Sequence, residues 1–541
     1  MTIDRRQYLK SIAAVTAGSA VASSIGAWPA SAQSRSETLR HVTGGVVTSL
    51  DPTLPGSTRE SLQLSVNIYD RLASFGRKKV PGGYVFDLDN IRGELAERID
   101  RSDDGLSYTF HIRQGATWHD GSPVEVADIK WSLDRAVSAS ASSKTQMALG
   151  SMTSPEQFKV VGDRQIEAKI ARPDRLTLAT FCVPFEPMYN SKLAKKHATS
   201  DDPWAANWLK ENTAAGGAYI VESNRPGQQV VLQRNENWKN GEGGKLPSFK
   251  RIILQTIPDV SSRASLLERG DADLVLDAAA SDIPGLEQRG KVTVITLPQS
   301  NAFQCISFNT RAAPFDNPKL RSAIAAGLPY DAMFKAAIFE RGKKLYGAQW
   351  KEPPTPSILQ AMPNNYDPDR AKALLAESGH ASGLKISFSF PASAAPTAEP
   401  MAALIKESLS KLGVDVTVQK LPDSQMVTMI AERKLHIFFD YYTSWLPTAD
   451  YLTRNFFSAD NRWNSSGWAD PEIIKLGEEM RYEQDQAKYD RMANRVISRI
   501  QDQMPVSMLW HPNHDAVIAK DITGYTYWYH RGADYRDLKR A

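Results

Sequence analysis

Tyr108, Phe110 and Ile112 alternate with Thr109, His111 and Arg113, the period-two pattern of a strand with one buried face. Asp120-Gly121 then marks a turn, since glycine takes positive φ without strain. Ser122-Pro123-Val124-Glu125 has the form of a capping box with proline in the first helical position, which predicts that a helix starts there. Val126, Ile129, Leu133 and Val137 continue it at three- and four-residue steps, while Asp128, Lys130 and Asp134 point away from this apolar stripe.

Strand and helix patterns alternate along the rest of the chain. Residues 39–47 read as a strand, 60–72 as a helix and 138–144, rich in Ser and Ala, as a loop. Strand patterns follow at 229–233 and 249–258, then a helix to Gly270 and the short apolar run at Leu274-Val275. Asp367-Pro368 caps an amphipathic helix, and a strand at 384–390, a helix at 401–412 and a strand at 414–420 come next. Buried-type strands are expected at 436–442 and 504–509. This rhythm predicts an α/β fold, and 541 residues exceed one ordinary core.

Charge and composition narrow the class. Residues 1–32 read as an export signal, with Arg5-Arg6-Gln7-Tyr8-Leu9-Lys10 ahead of a weakly apolar Ala/Gly/Ser/Val run and Ala30-Ser31-Ala32 at its end. The paired arginines resemble a twin-arginine signal, so a soluble protein in the periplasm, cleaved near Ala32, is expected. The formal charge of +4 falls to about +2 without that segment, and no basic run interleaved with aromatics suggests nucleic acid. Cys182 and Cys305 lie in apolar contexts and are expected as buried free thiols, although an oxidising compartment also permits a bridge.

Catalytic motifs are sparse. Ser408-x-x-Lys411 fits an acylase pattern without its companion motifs, His119 and Asp120 are adjacent, and an exported hydrolase built on them is the rival reading. His511, His514 and Asp515 carry metal-ligating groups, but Pro512 argues against presenting them from one helix face. The richest constellation is Tyr441-Tyr442-Thr443-Ser444-Trp445-Leu446-Pro447-Thr448-Ala449-Asp450-Tyr451, continuing to Trp463 and Trp468. A buried ligand needs aromatic walls with a few placed polar groups, and Tyr and Trp supply rigid area with a hydrogen-bonding tip.

Ile112-Arg113, Trp118-His119-Asp120-Gly121, Ala127-Asp128-Ile129 and Trp131-Ser132-Leu133-Asp134-Arg135 together resemble the hallmark segment of the extracellular solute-binding proteins of family 5. Further landmarks resemble the family from about Leu39 to Trp528, among them Gly217-Ala218-Tyr219, Asn235-Glu236-Asn237-Trp238 and Leu320-Arg321-Ser322-Ala323-Ile324. The resemblance implies an α/β periplasmic binding protein fold of type II, two lobes joined by two crossing strands, near residues 297–305 and 504–510. Residues 33–297 and 506–541 are expected in the first lobe, with an inserted subdomain, and 298–505 in the second.

The same resemblance implies a monomeric receptor without cofactor that hands a small-molecule or peptide ligand to the permease and ATPase subunits of an ABC importer. A metal-chelate or nickel binder on this fold is an alternative. Trp445, Asp450, Tyr451, Thr448, Tyr442, Trp463, Trp468, Ser49, Asn301, Phe303 and Trp510 are the expected ligand-binding residues. In the family's peptide binders a Trp-x-x-Asp carboxylate neutralises the peptide's α-ammonium. Counting from Trp445, Thr448 stands at that position and cannot pair with a cation, so Asp450 substitutes or the ligand lacks a free amine.

Overall fold

The 14-residue strand Val506–Ala519 changes partners halfway along its length. Up to Pro512 it pairs antiparallel with Ala302–Phe308 and Gly342–Lys344, and beyond Pro512 with Val292–Pro298 and Leu274–Val275. Proline has no N–H to give to a ladder, so the change of partner falls where the strand tolerates it. The computed structural model describes residues 34–541 except 242–243, 300 and 459–462. The expected export signal at residues 1–32 lies outside the described residues.

Around this strand runs a mixed twelve-stranded sheet. On one side Ala302–Phe308 is followed by Ile437–Thr443, Leu384–Pro391 and Val414–Leu421, and on the other Leu274–Val275 is followed by Thr38–Thr43, Arg251–Thr256, Gln229–Arg234 and Tyr219–Arg225. The buried apolar side chains follow the same division. One cluster joins side chains between Leu39 and Leu297 with Ala516 to Leu538, and two others draw on the chain between Phe303 and Trp510. Leu446 and Tyr451 are exceptions, inserted into the first cluster from the stretch that follows Ile437–Thr443.

The opening sequence pattern folds close to expectation. Ser107–Ile112 is a strand whose Tyr108, Phe110 and Ile112 are buried, in a four-stranded sheet with Ala96–Arg101, Gln165–Lys169 and Phe158–Gly162. The helix, however, spans Val126–Ser138 and is capped by Glu125 with Asp128, not by Ser122 with Glu125. Ser122 instead gives its N–H and hydroxyl to Asp120 Oδ1, and Pro123 bridges back to Thr117, which extends the turn before a helix can begin. Asp128 is buried as well, accepting from Trp118 Nε1 at 3.1 Å and from the Ser191 hydroxyl at 2.6 Å.

Two other expectations shift. Residues 138–144 are not a loop, because Ser140 caps a second helix, Ala141–Leu149, through its own hydroxyl. The second crossing strand runs ten residues past Leu509, and the polar His511, Asn513 and His514 mask it in sequence. At the far end of the hallmark segment, Arg135 is buried and reaches Asp51 Oδ2 at 2.5 Å, Thr53 Oγ1 at 3.1 Å and Tyr189 Oη at 3.2 Å. That ion pair anchors the helix to the turn after Thr38–Thr43, so this segment holds the scaffold together.

Candidate functional site

Trp445 leaves the end of Ile437–Thr443 and its ring lies edge-on to Phe185 and Tyr529, with centroids 5.0 and 6.1 Å away. Tyr529 is fixed from behind, since its hydroxyl donates to the Cys182 carbonyl at 2.6 Å and accepts from Arg71 Nη1 at 2.8 Å. Arg71 is held in turn by Glu94, Nη2 to Oε2 at 2.7 Å. A buried polar network with every member paired is rigid, so it sets the Tyr529 ring as a fixed wall.

In front of these rings is a cavity of about 180 Å³. Arg59 and Leu62 reach it from the helix Arg59–Ile68, and Thr145 and Gln146 from Ala141–Leu149. Thr443, Ser444, Trp445 and Tyr451 form a second side, extended by Asn455, Phe456 and Trp463. The C-terminal Tyr529-His530-Arg531 closes the third. Burial pushes the His530 imidazole down to about 3, so it is neutral, and it raises the Tyr451 hydroxyl, which lies against Gln146 and the Trp445 backbone.

The expected site residues divide sharply. Trp445, Tyr451 and Trp463 meet in this cavity, and Trp463 is 47% exposed at its rim. Phe303 and Tyr442 stack on each other at 5.0 Å within a hydrophobic cluster that also contains Trp468. Trp510 is fully buried against Phe334 and donates Nε1 to Gln304 at 2.6 Å. None of these four lines the cavity.

Ser49 and Asn301 do not line the cavity either. The Ser49 hydroxyl donates to the Asp51 carbonyl at 2.9 Å and shapes the turn that Arg135 clamps. Asn301 lies behind the cavity, donating Nδ2 to the carbonyls of Ser444 and Tyr529, and so ties two of its walls together.

Thr448 and Asp450 line a separate recess of about 360 Å³ with Arg175, Pro356 and Tyr489. In that larger recess one oxygen of the acid is engaged and the other is not hydrogen-bonded. Asp450 Oδ1 accepts from Tyr489 Oη at 2.8 Å, and its Oδ2 lies 3.8 Å from Arg454 Nη2. The smaller cavity combines rings with the polar side chains of Arg59, Gln146 and Arg531, which is what a polar solute requires.

Sequence reasoning did not single out Arg59, Gln146, Tyr529, His530 or Arg531. Tyr525-Thr526-Tyr527-Trp528-Tyr529 is as aromatic as the stretch at residues 441–451 and was the available signal.

The groups of the rival readings are engaged apart from one another. Ser408 Oγ donates to the Gly327 carbonyl at 2.8 Å while Lys411 pairs with Glu407 at 2.7 Å. His119, lowered to about 4 by burial, faces the Gly217 carbonyl at 3.0 Å, and Asp120 accepts from Ser122 and Asn190. His511 lies between the carbonyls of Ala302 and Leu359, His514 meets Tyr525 Oη, and Asp515 pairs with Arg341. Among the described residues no three His, Cys, Asp or Glu side chains converge as a metal set. Cys182 and Cys305 are both buried free thiols.

The mixed sheet built around the shared strand Val506–Ala519 is that of the type II periplasmic binding protein fold. A family model described as bacterial extracellular solute-binding proteins, family 5 Middle, matches residues 90–464, and the chain belongs to that family. It is 26% identical over 451 residues to the probable D,D-dipeptide-binding periplasmic protein DdpA of Escherichia coli K12, covering 81% of this chain and 82% of that one. The fold matches a dipeptide-binding protein from Pseudoalteromonas sp. SM9913 solved with Met-Leu, with a TM-score of 0.77, 20% identity and coverage of 93% of this chain and 100% of that one. NikA from Brucella suis, solved with Fe(III)-EDTA, gives the same TM-score of 0.77 at 18% identity, with coverage of 93% and 100%.

Proposed function

We propose that this protein captures a small polar solute in the cavity at Trp445, Tyr451 and Tyr529 and delivers it to the permease and ATPase subunits of an ABC importer. Residues 33–297 and 506–541 would move as one lobe and 298–505 as the other, closing on the solute by hinge rotation. No covalent bond changes. The solute is an oligopeptide, a modified peptide or an opine- or glycoside-like compound, and the protein works as a monomer in the periplasm after a twin-arginine signal at residues 1–32 directs its export.

The observation that carries this reading is the convergence of four distant stretches, around Arg59, Gln146, Trp445 and Tyr529, on one ring-lined cavity. Relatives that bind dipeptides support a peptide-like cargo. The test is to denature protein purified from the periplasm, identify the released solute by mass spectrometry and rebind it by calorimetry. Recovery of the unchanged solute, together with loss of its uptake when the gene is deleted, is expected. Turnover of the solute, or uptake that survives deletion, would sink the proposal.

A further inference from the structure

Among the described residues, the side chains lining the cavity include two guanidinium groups, Arg59 and Arg531, and no carboxylate. Arg59 opens the helix Arg59–Ile68, so the positive end of the helix dipole lies beside its charge. Its Nη2 is 3.3 Å from Glu60 Oε1, but that buried oxygen also accepts from Thr43 Oγ1 at 3.1 Å. Arg531 has a left-handed φ of 58°, and its Nη1 donates to Tyr441 Oη at 3.1 Å. His530 between them is neutral, held there by burial.

Among the described residues, the carboxylate that faces both guanidinium groups is Glu60, which is already paired with Arg59 and Thr43 and does not line the cavity. Thr448 stands where the resemblance implies the amine-binding acid, and Asp450 lies in the other recess with Tyr489 and Arg454. Asp440, on the neighbouring strand, accepts from Ser307 Oγ and the Tyr441 N–H and does not line the cavity. A partly desolvated guanidinium favours a carboxylate that accepts two parallel N–H bonds, and two such groups repel a cation.

We propose that the solute is an organic acid without a free ammonium group, its carboxylate held by Arg59 and Arg531 and its body laid against Trp445 and Tyr451. This rests on the solute-binding role of the cavity. N-acylated amino acids and N-terminally blocked peptides satisfy it, whereas zwitterionic dipeptides do not.

The probe is the set of small molecules released from the periplasmic protein, combined with a yeast-extract ultrafiltrate. It is split by ion exchange at pH 7 into anionic, neutral and cationic pools. Thermal stabilisation by the anionic pool is expected, lost when that pool is methyl-esterified and kept when its amines are acetylated. Arg59→Gln and Arg531→Gln should each weaken binding of the purified acid at least tenfold while the unliganded protein still unfolds in one cooperative transition, and Arg531→Lys should recover part of the affinity. Stabilisation confined to the neutral or cationic pool, or surviving esterification, overturns this inference and leaves the receptor role intact. Stabilisation by none of the pools overturns both.

Discussion

Tyr527 Oη donates to Asn301 Oδ1 at 2.7 Å, which orients the Asn301 amide so that Nδ2 reaches the carbonyls of Ser444 at 2.6 Å and Tyr529 at 2.9 Å. The Ser444 hydroxyl answers with a bond to the Asn301 carbonyl at 3.0 Å. One buried amide thus couples the Trp445 wall of the cavity to the Tyr529 wall.

Asn301→Leu keeps the side-chain volume but leaves a hydroxyl and two carbonyls without partners. Each orphaned buried group costs about 1–3 kcal/mol. Urea unfolding should show a loss of that size or more, and calorimetry a weaker solute affinity. An Asn301→Leu protein that binds normally would remove the residue from any positioning role.

Trp463 and Trp468, five positions apart, should respond in opposite ways. Trp468 is 6% exposed in a hydrophobic cluster, and Trp468→Ala should cost about 3–5 kcal/mol of stability. Trp463 is 47% exposed at the cavity rim, and Trp463→Ala should cost under about 1 kcal/mol while lowering solute affinity several-fold. Denaturant melts and binding isotherms on the two variants decide it.

Acid should destabilise the fold through its buried histidines. Burial lowers His41, His514 and His530 to about 3 from an ordinary 6.5. The unfolded chain therefore binds protons below pH 6.5 that the folded chain refuses until about pH 3. Stability is full above pH 6.5 and falls as pH drops toward 3, by about 1.4 kcal/mol per pH unit for each histidine. His514→Gln should flatten the pH dependence of the melting temperature between 6.5 and 5, and an unchanged slope would contradict this account.

Both thiols should be inert in the native protein. Burial raises Cys182 and Cys305 above the usual thiol range, and Cys305 Sγ lies 3.7 Å from Ser307 Oγ. A thiol reagent should titrate neither in buffer and both in urea. Fast labelling of either site without denaturant would show an open path to it.

Much of the scaffold is readable locally because its signals are local. The alternation of Tyr108, Phe110 and Ile112 and the Asp367 cap need only their own neighbours, and both form as the pattern indicates. Asp128 shows where such reading stops. Its helix position suggests solvent, yet Ser191, 63 residues away, supplies the partner that makes its burial affordable. The capping box at Ser122 fails for a local reason instead, since Asp120, two residues before it, captures the Ser122 N–H and hydroxyl.

The cavity was only half legible. Trp445, Tyr451 and Trp463 belong to a visibly aromatic stretch, but Phe303, Tyr442 and Trp468 carry the same signal and pack into the core. Periodicity says that a ring is buried and is silent about whether protein or solute buries it. The sequence by itself determined the α/β scaffold, the family and the absence of an acid at Thr448. Only the tertiary structure decided that Arg59, Trp445 and Arg531 meet and that Asp450 lies elsewhere. Those placements depend on where the strand Val506–Ala519 changes partners and on contacts between residues hundreds of positions apart.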